Sequence, residues 1–243
     1  MHTRLCGHAR GEMEEYVQAA IAKNLKRIVF LEHMEEGILA PQPSWLSETD
    51  FDYYFSEGKR LQAQYRDEID IGLGVECGYN SACKDTLQER LANRKWDQIG
   101  ISCHFLKVEN QPYHLNLFSK KAENIKRATH FDTTVLFSNY LETLQEAITV
   151  LNGSVLCHLD AAFRWFPSHT LNEQHYEQID HLLEQAAAQN MALEINTSGI
   201  AIRGEPFPNK RILDLATQHK MRFQLGSDAH KPEDVGNHFT LFS

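Results

Sequence analysis

A parallel α/β barrel is the fold class this sequence predicts, on three observations. Apolar, β-branched runs alternate with segments whose apolar residues recur at helical spacing, the pattern of parallel strands joined by crossover helices. The length of 243 residues and a hydrophobic content of 42% suit one barrel with a full core. The apolar runs also end alike, in a His or a carboxylate, so their strand ends would pool polar side chains on the face where parallel barrels build their sites. Neither an internal repeat nor a low-complexity linker interrupts the pattern, and residues 1–243 read as a single domain.

The chain opens with Met1-His2-Thr3-Arg4-Leu5-Cys6-Gly7-His8-Ala9, two histidines in a short loop with no room for a strand before it. Met13, Tyr16, Val17, Ala20 and Ile21 then keep helical spacing, with Glu12, Glu14 and Glu15 in the first turn, where negative charge suits the helix dipole. Arg27 to Leu31 is a strand ending in Glu32-His33. Beyond Pro41 and Pro43, residues 51–65 are aromatic and apolar at helical spacing. Residues 69–75 form the next strand, through Gly72 and Gly74 to Glu76, and residues 96–103 lead into His104. Periodicity is weakest over 107–138, which predicts a long loop with a short helix, and returns as a helix over 139–151. Residues 153–157 run into His158-Leu159-Asp160. Tyr176, Ile179, Leu182, Leu183 and Ala186 mark another helix, 191–195 another strand, and 212–219 a last helix. The final run, 221–225, ends in Gly226-Ser227-Asp228-Ala229-His230. Asp228 and His230, two residues apart, project to one side of extended backbone, the disposition of a metal-ligand or acid/base pair. A lone Asp-x-His is as often an ordinary loop; its repetition at the other strand ends gives it weight.

Composition narrows the function classes. With 24 Lys+Arg against 33 Asp+Glu, a formal charge of −9, there is no broad positive field to hold a long nucleic acid, although a local basic pocket for a small anion fits. Neither an apolar run of membrane-spanning length nor a charged-then-apolar leader is present, and the expectation is a soluble, cytoplasmic protein. The 5 cysteines are scattered and lack a C-x-x-C pair, which fits reduced thiols. Cys103 and Cys157 directly precede a His, so in a strand they face the packed side. Thirteen histidines, several beside Asp, Glu or Gly, favour metal chemistry.

The candidates gathered at the strand ends are His2, His8, His33, Glu76, His104, His158, Asp228 and His230. Buried carboxylates among imidazoles need cations. Nitrogen and oxygen donors without thiolate fit Zn, Mn or Fe and leave the choice open.

The ordered set H-T-R-L-C-G-H-A, L-E-H, G-V-E, C-H-F, C-H-L-D, L-E-I-N-T-S-G and G-S-D-A-H resembles the polymerase-and-histidinol-phosphatase (PHP) superfamily over nearly the whole chain. Glu194 to Gly199 and the His8-Ala9 pair most resemble its histidinol-phosphate phosphatases. The resemblance implies a distorted (β/α)7 barrel with three divalent metal ions. Carried over by motif, His2, Glu76 and Asp228 hold the first, Glu76 with His104 and His158 the second, and His8, His33 and His230 the third. It implies a phosphomonoesterase acting on L-histidinol phosphate, with a hydroxide bridging the first two metals attacking phosphorus in line.

Arg164 and Arg203 follow the fifth and sixth strand ends, and guanidinium suits bidentate phosphate binding, against the blander reading of surface salt bridges. Asp160 is a candidate to orient His158 or to protonate the leaving alkoxide, the first being the commoner role for such a pair. His169 is a candidate for the substrate pocket. Glu32 reads as a supporting or loop carboxylate, Asn196 and Thr197 as partners of strand-end backbone, and His114, His130, His175, His181, His219 and His238 as solvated histidines.

One departure from the family pattern is visible. The family opens with a strand ending H-x-H, whereas only the second histidine stands here, as His2, behind Met1. The first strand is largely missing, the written start reads as an internal Met of a longer H-M-H-T motif, and the first metal is expected to bind less securely than the other two. The exposed strand edge is a place for homo-oligomer contacts. Competing readings are a phosphatase or phosphodiesterase for nucleotides or other small phosphoesters, and a metal-binding module without turnover.

Overall fold

The structure is a computed structural model that describes residues 1–162, 164–166 and 170–242. His169 lies outside the described residues. The strands are β1 (Arg27–Glu35), β2 (Asp70–Gly78), β3 (Ile99–Ser102), β4 (Phe105–Leu106), β5 (Leu115–Asn116), β6 (Val155–Leu156), β7 (Ala192–Asn196) and β8 (Arg222–Gly226). Between them run α1 (Met13–Ala22), α2 (Glu48–Gln64), α3 (Lys84–Ala92), α4 (Ala122–Ala128), α5 (Thr133–Val150), α6 (Glu173–Ala188), α7 (Ser198–Arg203) and α8 (Lys210–Gln218). Six strands form one sheet in the order β1-β2-β3-β6-β7-β8, parallel at every junction, while β4 and β5 make a separate antiparallel ribbon.

The first and last strands of this curled sheet are bridged by the N-terminal residues. Leu31 N donates to Met1 O at 3.0 Å and His2 N to Ala229 O at 2.9 Å, and Thr3 anchors its N–H and hydroxyl on Glu32 Oε1 at 2.8 and 2.6 Å. Residues 1–3 thus lie across the top of the gap between β1 and β8. Below them β8 stays half-open: Arg222 and Phe223 are exposed.

Sequence pattern accounts for most elements. Met13, Tyr16, Val17 and Ala20 bury one stripe of α1, and Ser47 with Asp50 closes a capping box on α2. A large apolar cluster runs from Cys6 to Val235, and Val155, Cys157 and Ala192 form a small second cluster. Cys103 and Cys157 are buried and all the cysteines are free thiols. Among the described residues, no helix is long and apolar enough to cross a membrane.

Three expectations change. The weakly periodic region holds more order than a loop, with the β4–β5 ribbon, α4, and an α5 that starts at Thr133 rather than 139. Asp132 caps it by accepting from Thr134 N at 2.8 Å, and the β-branched pair Thr133-Thr134 masks that start in the sequence. The strands predicted over 96–103 and 153–157 shorten to β3 and β6. His175, expected in solvent, is fully buried. It sits in the first turn of α6, where Asn172 N donates to its Nδ1 at 3.3 Å and its Nε2 meets Thr134 O at 3.0 Å, so it caps α6 and ties it to the start of α5.

Candidate metal centre

Strand alternation and register decide which side chains reach the site. Along β1, Glu32 faces one way and His33 and Glu35 the other, and pairing with β2 sets His33 beside Glu76 and Glu35 beside Gly78. His104, His158, Asp228 and His230 follow the ends of β3, β6 and β8. His158 and Asp228 turn out of their strands with φ of 27° and 47°, a left-handed backbone that costs a non-glycine residue about 1–2 kcal/mol. Glu194 Oε2 accepts the His158 N–H at 2.8 Å and so holds that turn in place.

Glu76 is the hub. Its Oε1 lies 3.0 Å from His104 Nε2 and 2.7 Å from His158 Nε2, and its Oε2 lies 3.2 Å from His2 Nε2 and 3.6 Å from His33 Nδ1. His2 Nε2 is also 3.2 Å from Asp228 Oδ1. The His2 ring stacks on His33 with centroids 4.0 Å apart and on His230 at 4.6 Å. His8 Nε2 meets His230 Nε2 at 2.9 Å. The structure therefore brings together all of His2, His8, His33, Glu76, His104, His158, Asp228 and His230.

Burial would neutralise Glu76, but His158 and His104 hold its carboxyl well below the usual carboxylate range. Against the same penalty, His230 and His2 hold Asp228 low. Burial opposes charge on His2 as well, yet hydrogen bonds to Asp228 and Glu76 push it up to about 8. His104 reaches about 10, because Glu76 and Glu35 outweigh its desolvation. Burial, reinforced by the charge of His2, lowers His33 and His8 and takes His230 down to about 4. Positive charge is thus favoured on His2 and His104 and disfavoured on His8, His33 and His230.

The donor set fits divalent cations on its own geometry. His8 Nδ1 lies 3.3 Å from Cys6 O and His230 Nδ1 lies 2.8 Å from Asp228 O. Those carbonyls fix the Nδ1–H tautomer in both rings and turn two Nε2 lone pairs toward each other, a repulsive contact unless a cation accepts both. His33 Nδ1 is buried without a hydrogen-bond partner. Potential ligand atoms of His2, His33 and His230, and of His33, Glu76 and His104, each cluster within 4.8 Å.

A cleft of about 750 Å³ opens over this cluster, with His8, His33, His104, His158, Asp228 and His230 on its floor. Phe105, Phe118 and Trp165 form apolar walls, and Lys120, Lys121 and Arg164 supply positive charge. Phe118 sets its edge against His104 and His158, with centroids 5.2 and 4.9 Å apart. The Arg164 guanidinium stacks on Phe118 at 5.0 Å, its buried Nε has no partner, and burial lowers its pKa. Its Nη1 donates to Ala161 O at 3.4 Å, and among the described residues no carboxylate pairs with it.

Arg203 and Asp160 depart from expectation. Arg203 forks onto Asp160, Nη1 to Oδ2 at 3.0 Å and Nη2 to Oδ1 at 3.3 Å, and stacks on Phe207 at 4.1 Å, so its donors are spent within the fold rather than offered to phosphate. Asp160 Oδ2 also accepts Asn209 N at 2.9 Å. With both oxygens engaged, Asp160 holds α7 and the start of α8 to the turn after β6 and makes no hydrogen bond to His158; burial raises its pKa against the pull of Arg203. Glu32 serves Thr3, away from the cluster. Asn196 accepts from Ser198 N and Thr197 binds Gly226 O, the backbone roles expected of them.

Two buried carboxylates escaped notice in the sequence. Glu35, 2.6 Å from His104 Nδ1, lies two residues beyond His33, a period-2 signal that could have found it. Glu194 stood inside a quoted motif, but its contact with His158 spans 36 positions and has no local signature.

A curled parallel α/β sheet whose strand ends pool imidazoles around buried carboxylates defines a protein with a candidate metal centre. The chain belongs to the PHP domain family: the family model matches residues 1–198 and the PHP-associated model residues 206–243. It is 27% identical over 246 residues to a probable histidinol-phosphatase of Deinococcus radiodurans, covering 98% of this chain and 88% of that one. It is 23% identical to the histidinol-phosphatase of Bacillus subtilis, covering 100% of this chain and 96% of that protein. Among solved structures, a Listeria monocytogenes protein described as a candidate histidinol phosphatase, hisK, superposes with a TM-score of 0.84 at 23% identity over 100% of this chain and 98% of that one. The histidinol phosphate phosphatase of Lactococcus lactis, solved with zinc, L-histidinol and phosphate, gives 0.80 at 20% identity over 99% and 90%.

Proposed function

We propose that this chain is a metal-dependent phosphomonoesterase that hydrolyses L-histidinol phosphate to L-histidinol and phosphate. The observation that carries the reading is the cluster around Glu76, at the foot of a cleft with an unpaired arginine. Named histidinol-phosphatases related along nearly the whole chain support the substrate, as does a relative of the same fold solved with histidinol and phosphate.

In this reading His2, Glu76 and Asp228 would hold one divalent cation, Glu76, His104 and His158 a second, and His8, His33 and His230 a third, with Zn, Mn or Fe as the candidate ions. Bound there, such cations supply Lewis-acid neutralisation of phosphoryl charge and acidify water. The chain's own residues do the rest. Arg164 pairs with a phosphate oxygen and orients the ester. Phe105, Phe118 and Trp165 exclude water from the reacting face and strengthen the electrostatics beneath them. Glu76 and Asp228, kept ionised by their histidines, anchor the positive charge that the dianionic substrate requires. We read residues 1–243 as one domain, supported by one large apolar cluster that spans Cys6 to Val235, and the free thiols fit a cytoplasmic enzyme.

Phosphate release from L-histidinol phosphate, nucleoside monophosphates and p-nitrophenyl phosphate, each with added Zn or Mn, tests the reading. The expected result is a kcat/KM at least about tenfold higher for histidinol phosphate, a preference of about 1.4 kcal/mol. Faster release from the nucleotides overturns the substrate, and no release from any ester by metal-loaded protein overturns the activity.

A further inference from the structure

We propose that Glu35 is a positioning residue that fixes the His104 imidazole for cation binding beside Glu76. The inference rests on the metal-centre reading above and adds to it a carboxylate at the edge of the same cleft that acts through His104.

His104 has two ring nitrogens with two different tasks. Its Nε2 lies 3.0 Å from Glu76 Oε1, on the side of the cluster. Its Nδ1 lies 2.6 Å from Glu35 Oε1, while the alternative partner, Ser102 Oγ, stands at 3.5 Å and is already directed at Cys77 O at 3.3 Å. Nδ1–H therefore donates to Glu35, and the lone pair of Nε2 is left to face the site. An imidazole held this way by a carboxylate has its tautomer and ring angle set before a cation arrives and is a more basic ligand.

The fold reserves a place for that carboxylate. Register pairs Glu35 with Gly78 across β1 and β2, and a Cβ on Gly78 would stand 2.0 Å from Glu35 Oε1 and 2.2 Å from Oε2. Any side chain at 78 would evict the carboxylate from the end of the strand. Arg90 Nη1 holds the backbone of the same residue by donating to Glu35 O at 3.0 Å. Glu35 is 4% exposed, and its side chain reaches His104 from behind the ring. Sheet register, a missing side chain and a backbone clamp thus converge on one hydrogen bond.

Titration of the full-length protein with Zn²⁺ and Co²⁺ against a competing chelator tests the proposal, using wild type, Glu35→Gln, Glu35→Ala and Gly78→Ala. Glu35→Ala should weaken one class of bound ion about 10–100-fold and shift its Co²⁺ ligand-field absorption, leaving the other ions bound as in wild type. Glu35→Gln, whose amide oxygen still accepts from Nδ1–H, should recover most of the affinity and the spectrum. Gly78→Ala should resemble Glu35→Ala. Wild-type affinity and absorption in folded Glu35→Ala overturn the proposal. Should that variant not fold, Glu35→Met, which fills the space without an acceptor, takes its place and the same comparison decides. A wild-type protein that binds no cation is a separate failure, that of the metal centre itself.

Discussion

Arg203 lies across the two oxygens of Asp160 at 3.0 and 3.3 Å, closing a contact between residues 43 positions apart. The Asp160 side chain is 3% exposed and that of Arg203 26%. Removing the arginine leaves a buried carboxylate with only Asn209 N. Arg203→Ala should cost about 3 kcal/mol, the low end for stranding a buried charge because its partner is partly solvated. For a chain of this size that lowers Tm by roughly 6–12 °C. Arg203→Lys should restore only part of it, since an ammonium cannot fork. Scanning calorimetry at pH 7 measures both, and an unchanged Tm in Arg203→Ala would mean the pair contributes nothing.

Arg164 should behave in the opposite way. Among the described residues no carboxylate lies within ion-pair range of it, and its Nη1 donates to Ala161 O at 3.4 Å, so in the proposed reading its charge meets the substrate. Arg164→Ala should leave Tm within a degree or so yet raise KM for the phosphoester and the inhibition constant of free phosphate about 10–100-fold, from the loss of a charged hydrogen bond worth about 1.5–3 kcal/mol. Steady-state kinetics with phosphate as inhibitor reads both constants, and an equal loss of kcat with KM unmoved would argue for a different role.

Glu76 touches His2, His33, His104 and His158, so its removal should damage the whole cluster. Glu76→Gln keeps the shape and removes the charge. Metal content per chain by elemental analysis should fall, and kcat/KM with it by on the order of 10³-fold, the several kcal/mol expected of lost metal catalysis. Retention of full metal content would place the hub elsewhere.

Proton release should accompany metal uptake. In the metal-free protein His2, at about 8, and His104, at about 10, carry protons at pH 7 that a cation must displace. About two protons should leave per chain at that pH, with affinity climbing as pH rises through 8 toward 10. The same groups set metal-free stability. Raised above the ordinary imidazole value of about 6.5, they stabilise the fold fully below that pH, and the stabilisation is lost as pH rises through 8 and then 10. His230, lowered to about 4, acts oppositely and costs stability as pH falls below about 6.5. Calorimetric titration in buffers of different ionisation enthalpy counts the protons, and a pH-independent affinity would contradict the assignment.

Bound cations should in turn stabilise the fold. The candidate ligands come from the N-terminus and from the ends of β1, β2, β3, β6 and β8, so an unfolded chain cannot assemble them. Free Zn²⁺ at 100 times its dissociation constant should add about 2.7 kcal/mol, some 5–11 °C in Tm, and a chelator should remove it.

Much of the candidate site could be read along the chain because most of its side chains sit at strand ends, and strand ends have a local mark: an apolar, β-branched run that stops at a His, Asp or Glu. His33, Glu76, His104, His158 and Asp228 all carry it. Period-2 alternation also separates His33 from Glu32 without any tertiary information. Harder to read was the stretch from β4 through Ser138, where the β4–β5 ribbon is two residues long on each side and leaves no period to detect. His175 looked solvated because its capping role depends on Thr134, 41 positions away.

Amino-acid order alone determined the alternation of strands and helices, the identity of the side chains at the strand ends, and the family, since these follow from backbone periodicity and short motifs. Folding decided the partners. Whether Arg203 meets a phosphate or Asp160, which nitrogen of His104 faces Glu76, and that His8 and His230 turn lone pairs toward each other all depend on how distant turns pack. Hydrogen bonds and charges act over a few ångströms of space, and separation along the chain carries no record of that distance.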